Sequence, residues 1–102
     1  MFNGSVPDDL TFTDVPESSR YELRRGDEIV SVLDYRVHGD TVAFTRAFTN
    51  PVHRGRGYAS VVTERAVDAI AARGGQKVLP VCWYVADWFD DHPGRAELLA
   101  AG

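Results

Sequence analysis

At Pro51 the hydrophobic pattern of this 102-residue chain changes, from the two-residue alternation of strands to the 3.6-residue repeat of a helix. Upstream, Arg20-Tyr21-Glu22-Leu23-Arg24 alternates polar and apolar residues, turns at Gly26-Asp27 and continues as Glu28-Ile29-Val30-Ser31-Val32-Leu33, which predicts a hairpin. The alternation then sets Leu33, Tyr35 and Val37 on a face expected to be buried, and Asp34, Arg36 and His38 on a wet one. Gly39-Asp40 separates this strand from Thr41–Thr49, a second hairpin signal, and Leu10–Val15 is a candidate for a further edge strand before Pro16, although short for one. Residues before about Asp9 are expected to fray.

Downstream, Tyr58, Ala59, Val62, Ala66, Ala69 and Ile70 share one side of a helical repeat, with Glu64 and Asp68 away from it. Gly74-Gly75 ends the helix, because glycine accepts the left-handed cap conformation and weakens a helix interior. Lys77–Cys82 has strand composition but contains Pro80, which has no amide hydrogen for a ladder. Trp83–Phe89 predicts a short helix, His92-Pro93-Gly94 an interruption, and Arg95–Ala101 a last helical turn.

A chain of this length fits one domain, residues 1–102, with one core and one site. The single cysteine, Cys82, excludes an intramolecular disulfide, and no apolar run approaches the roughly 20 residues that span a bilayer. The first nine residues lack the basic start and apolar stretch of an export signal, so a reducing cytoplasm is the expected setting. A net charge of -4 argues against a general nucleic-acid binder. Yet Thr41 to Thr63 contains no Asp or Glu while holding Arg46, His53, Arg54 and Arg56, so a local positive field sits on an acidic body. That distribution suits a small anionic ligand.

The turn His53-Arg54-Gly55-Arg56-Gly57-Tyr58-Ala59 lies where strand gives way to helix. Unpaired amides and the helix dipole favour negative charge there, and small residues let the backbone approach phosphate oxygens closely. Gly55 and Gly57 supply that approach, Ala59 keeps the first turn open, and Arg54 and Arg56 add charge.

With these residues the chain resembles the GNAT superfamily of acyl-coenzyme A-dependent N-acetyltransferases, whose signature at this turn is Arg/Gln-x-x-Gly-x-Gly/Ala. The resemblance extends to a short single-domain branch of predicted acetyltransferases through Leu33-Asp34-Tyr35-Arg36, Asn50-Pro51 and Pro80-Val81-Cys82-Trp83-Tyr84-Val85, over about residues 12 to 93. It implies an α+β fold: a mixed, mostly antiparallel sheet with a splayed strand pair, one long helix after the glycine-rich turn and a short C-terminal helix. It further implies acetyl-coenzyme A as acyl donor and an amine of a small molecule or protein as acceptor, with no metal, no nucleic acid, no membrane, and a monomer or weak dimer. Phe48 and Thr49 would then offer backbone groups to the pantetheine arm, and Arg54, Gly55, Arg56, Gly57, Tyr58 and Ala59 would hold the pyrophosphate. Pro80 would stand where one strand opens away from its partner.

Two residues are candidates for the chemistry. By the resemblance Tyr84 would protonate the departing thiolate of coenzyme A; a tyrosine whose ring fills the core is the alternative. Cys82 would serve as a nucleophile if positive charge stabilised its thiolate, or else is a small buried hydrophobe. Relatives often carry His or Glu on the strand before the turn, whereas Arg46 and Ala47 stand here, and a guanidinium is no base. His38, Asp34 and His53 are alternatives, as is a water chain. Lacking a base, the chain also fits a non-catalytic module that binds coenzyme A or an acyl-coenzyme A. Trp83, Trp88 and Phe89 are divided between an acceptor pocket and the core, and His92 with Asp90 and Asp91 is too sparse a cluster for a structural metal.

Overall fold

Both glycine-led turns close two-residue hairpins, pairing Arg25 with Glu28 and His38 with Thr41 in a computed structural model that describes residues 10–100. The residues expected to fray, 1–9, lie outside the described residues. Strands β1 (Leu10–Val15), β2 (Arg20–Arg25), β3 (Glu28–His38) and β4 (Thr41–Thr49) form an antiparallel meander, and β5 (Lys77–Pro80) joins β4 in parallel, giving the order β1-β2-β3-β4-β5. Helix α1 (Tyr58–Arg73) makes the crossover between β4 and β5, and α2 (Trp83–Asp90) follows β5. Short 3-10 turns occupy Pro16–Ser18, Pro51–His53 and Pro93–Leu98. The expected α+β architecture is therefore present, with two adjustments. β5 stops at Pro80 rather than Cys82, and the last helical turn starts at Pro93, whose fixed φ suits a first helical position.

Val62, Ala66, Val67 and Ile70 of α1 pack on Leu23, Leu33 and Phe44 of the sheet, and Val85, Trp88 and Phe89 of α2 complete the same cluster. Trp88 and Phe89 are thus core residues, each 4% exposed. The burial follows the expected helical face except that Val67 and Thr63 are buried where Ala59 and Ala69 are only half-buried. Val37, expected inside, is 54% exposed: β3 outruns β2, whose pairing ends at Arg20 with Asp34, so no strand flanks Val37 on that side. On the sheet face turned away from the helices, Glu22, Val32 and Ala43 are buried without belonging to this cluster.

The sheet opens in one place, and a β-bulge is there. Asp34 pairs with Arg46 and Tyr35 with Phe44, so Thr45 is an extra residue on β4, and an extra residue bends its strand and sharpens the twist. β4 and β5 pair only from Thr41 with Lys77 to Phe44 with Pro80. The bulge and the proline meet at the same rung: the next bond across the gap is the Cys82 amide donating to the Phe44 carbonyl at 2.9 Å. Beyond it β4 continues to Thr49 while the other chain turns into α2, producing the splayed pair.

Where the end of α1 meets the sheet, Tyr35 donates to Asp14 Oδ1 at 2.6 Å, and the Arg73 guanidinium lies 3.9 Å from Asp14 Oδ2. Burial, then its bond to Asp14 and that carboxylate's charge, push the Tyr35 phenol well above its ordinary value; burial and Asp14 raise Tyr21 too. In the unfolded chain both phenols ionise near pH 10, while the folded chain keeps them protonated. Their stabilising contribution is therefore whole below about pH 10 and is lost as pH rises towards the folded values. Urea unfolding is expected to show a falling midpoint between about pH 9 and about pH 11. Tyr35→Phe should lower stability at neutral pH by about 1 kcal/mol and flatten that alkaline fall.

Candidate active site

The turn from Arg54 to Gly57 hangs between two anchors. At its start, Asn50 accepts from the Val52 amide at 3.2 Å and His53 Nε2 lies 3.0 Å from Glu28 Oε2, tying the segment to the β2–β3 hairpin. At its end Tyr58 turns its side chain inward, 6% exposed, where its hydroxyl accepts from Arg25 and its ring meets that of His53 edge-on. His53 is thus a strut of the turn, and Tyr58 can meet a ligand there only through its backbone. Gly55 and Gly57 both have positive φ, 83° and 77°, and Gly57 is the N-cap of α1. The helix's first bond runs from Val61 N–H to the Gly57 carbonyl, so the amides of residues 55 to 60 have no acceptor among the described residues. A Cβ on either glycine would meet no protein atom within 4 Å. This is a row of free donors at the positive end of a sixteen-residue helix, open to the space in front of it.

Beside that turn, the gap between β4 and α2 forms a cleft of about 360 Å³. Ala47, Phe48 and Thr49 line it from β4, Arg54 and Ala59 from the turn and helix start, and Cys82, Trp83 and Tyr84 from the start of α2. The structure thus brings Phe48, Thr49, Arg54, Ala59, Cys82 and Tyr84 around one space, with Gly55, Arg56 and Gly57 in the exposed turn next to it. Ser31 Oγ donates to the Phe48 carbonyl at 3.0 Å and lies 3.1 Å from Thr49 Oγ1, which fixes this end of β4. Trp83, one of three aromatic residues with two expected roles, is 74% exposed at the cleft, whereas Trp88 and Phe89 are core.

Tyr84 is half-buried in the first turn of α2. Burial raises its phenol above the ordinary value, the Ser60 hydroxyl beside it partly offsets this, and the charge of Asp91 adds to the rise. A phenol so held is protonated throughout the neutral range. Cys82 is the N-cap of α2, half-buried and packed against the core cluster, so it both lines the cleft and acts as a small apolar residue.

None of the proposed alternative bases reaches the cleft. Arg46 lies on the outer sheet face, 3.3 Å from Asp34 Oδ2 and stacked 4.9 Å above the Phe48 ring, which also accounts for Asp34. His38 pairs with Thr41, seven residues up β4 from Phe48, which is about 23 Å at strand rise. The cleft lining contains no His, Asp or Glu among the described residues. His92 stacks on Trp88 and sits 2.6 Å from its carbonyl, and no group of three metal-ligating side chains is present among the described residues. The bulge at Thr45 escaped sequence reasoning; two-residue alternation gives no warning of it, and only the strand pairing reveals it.

Comparison with known proteins adds three findings. A family model described as GCN5-related N-acetyl-transferase matches residues 20–98. Among curated proteins none matches the chain. Among solved structures, the chain is similar to the crystal structure of the ribosomal-protein-S18-alanine N-acetyltransferase from Escherichia coli, with a TM-score of 0.54 and 12% identity. That likeness covers 72% of this chain and 42% of the other, so this chain spans less than half of that enzyme and shares its fold.

Proposed function

This chain belongs to the GCN5-related N-acetyltransferase family, and on that premise we propose that it transfers an acetyl group from acetyl-coenzyme A to an amine of a small molecule or protein. The observation that carries this reading is the row of unpaired amides from Gly55 to Ser60 beside a cleft that holds a protonated Tyr84. A pyrophosphate fits that row: the glycines leave room for it, the helix start favours its charge, and Arg54 and Arg56 flank it. Acetyl-coenzyme A supplies an activated acyl group as a thioester. The chain's part is to hold the donor against the open edge of β4 at Phe48 and Thr49, to align the amine with the acyl carbon, and to give the departing sulfur a proton from Tyr84. Cys82, within the same cleft, is the second candidate for a direct chemical role. With no carboxylate or imidazole among the described residues of the lining, the amine must arrive neutral or lose its proton to water.

That same lack of a base favours one other reading, a module that binds acetyl-coenzyme A without turnover. Under either, residues 1–102 act as one domain in the cytoplasm, as a monomer or weak dimer, without metal or nucleic acid. No helix among the described residues is long and apolar enough to cross a membrane. Calorimetry with acetyl-coenzyme A, followed by detection of free thiol over a panel of amines, decides between them. Binding with thiol release is the expected result; binding alone selects the module, and no binding at millimolar ligand by folded protein removes both.

A further inference from the structure

The sheet face turned away from α1 and α2 is basic in a chain of net charge -4. Along β2, β3 and β4 it presents Arg20, Arg24, Arg36 and Arg46 against two carboxylates, Glu22 and Asp34. Glu22, only 4% exposed, is shared by two guanidinium groups, at 2.7 Å from Arg20 and 2.9 Å from Arg24. Burial pushes the Glu22 carboxyl up, but the bonds from Arg20 and Arg24 outweigh it and hold the group ionised. One buried charge thus fixes two arginines flat on the sheet and neutralises one of them. Arg36 is exposed and has no ion pair among the described residues.

This basic face is continuous with the cleft. A groove of about 320 Å³ on it is walled by Arg20 and Arg46 and floored by Ile29, Val32 and Phe48. Phe48 also lines the cleft with Cys82 and Tyr84. Phe48 thus borders both: its ring lies under the Arg46 guanidinium on the outer face, and its stretch of β4 lines the cleft. The charges reach well beyond a small molecule at the cleft: from Phe48 to Ala43, the partner of Arg36, is about 16 Å at strand rise. An extended segment of about five residues covers that distance.

We propose that this face is the docking surface for the acceptor, and that the acceptor is a peptide segment with carboxylates following its reactive amine. The inference rests on the acetyl-transfer reading for what happens at the cleft, but the docking itself is a separate binding event. Guanidinium forks match carboxylates, and an arginine- or lysine-rich segment would meet like charge along the whole groove.

Three labelled peptides of equal length, each with one free amine and with Asp/Glu, Ser/Gly or Arg flanks, would be titrated against the full chain by fluorescence anisotropy. The acidic peptide should bind about tenfold tighter than the neutral one at low ionic strength, and the advantage should shrink as salt screens it. The double variant Arg36→Glu/Arg46→Glu should lose that preference or reverse it, with a urea midpoint lowered only slightly by the new carboxylate facing Asp34 and with unchanged acetyl-coenzyme A affinity by calorimetry. Equal binding of all three peptides, or a preference for the Arg-flanked one, overturns the proposal, as does an acidic preference that survives in the double variant. If acetyl-coenzyme A fails to bind while the acidic peptide does, the docking face stands and the transfer reading falls; the reverse pattern removes the docking face alone.

Discussion

Gly57→Glu is expected to weaken acetyl-coenzyme A binding by about a hundredfold, close to 2.7 kcal/mol, in a protein that still folds. The backbone there is left-handed, with φ 77° and ψ 13°, and a side chain in that conformation costs about 1–2 kcal/mol, less than the roughly 5–15 kcal/mol that holds a domain together. No protein atom lies within 4 Å of the added Cβ, so nothing in the fold is displaced. The new carboxylate instead sits among the free amides of residues 55 to 60, where it can accept their hydrogen bonds and repel a phosphate. Gly39→Glu separates backbone strain from ligand loss. Gly39 has φ 59° and equally open space, but lies in the β3–β4 hairpin at the far end of the ladder from the cleft. Both variants should lose similar stability in urea, and only Gly57→Glu should lose affinity in calorimetry. Equal affinity in the two would remove the phosphate reading of the turn.

The elements were legible in the sequence because each carried its own local signal. Glycine-aspartate pairs marked both hairpins, and the apolar repeat after Pro51 gave α1 to within a residue. The turn was legible for the same reason: the free amides follow from a helix start, and the glycines from the approach they allow. What escaped was set by pairing across the sheet. Pro80 signalled that β5 would lose a partner, but the bend at Thr45 that separates the strands shows only when Asp34 and Tyr35 are seen to pair with Arg46 and Phe44. Exposure was misread for a related reason. Val37 obeys the alternation of β3 yet stands beyond the end of β2, so its flank is open.

The same logic explains why the candidate bases were separated from the cleft. Asp34, His38 and His53 were the candidates, yet alternation and register carry Asp34 to the outer face and His38 to the opposite end, and Glu28 holds His53 as a strut of the turn. Arg46, which looked like a base replaced, is one wall of the groove instead. Its place beside Phe48 connects charge on the outer face to the cleft, a relation visible only once the sheet is assembled.

Tyr84→Phe is expected to lower kcat by about a hundredfold while leaving acetyl-coenzyme A affinity nearly unchanged, the loss typical of removing one positioned proton donor. Burial in the first turn of α2 and the charge of Asp91 keep the phenol protonated, against the smaller opposing effect of Ser60, so Tyr84 is equipped to donate and not to abstract. The sign of the pH dependence follows. Because its value is raised, ionisation of Tyr84 removes activity only above the ordinary phenol range near pH 10, and this alkaline loss should disappear in the phenylalanine variant. Pre-steady-state acetylation measured with Cys82→Ala alongside then assigns the route. If the amine attacks the thioester directly, nitrogen gains the acyl group, the carbon–sulfur bond breaks and the Tyr84 proton goes to the departing sulfur, so Cys82→Ala should keep turnover within about threefold. A loss as large as that of Tyr84→Phe, with labelled acetyl found on the wild-type thiol, would place Cys82 in the covalent path and reduce Tyr84 to its partner.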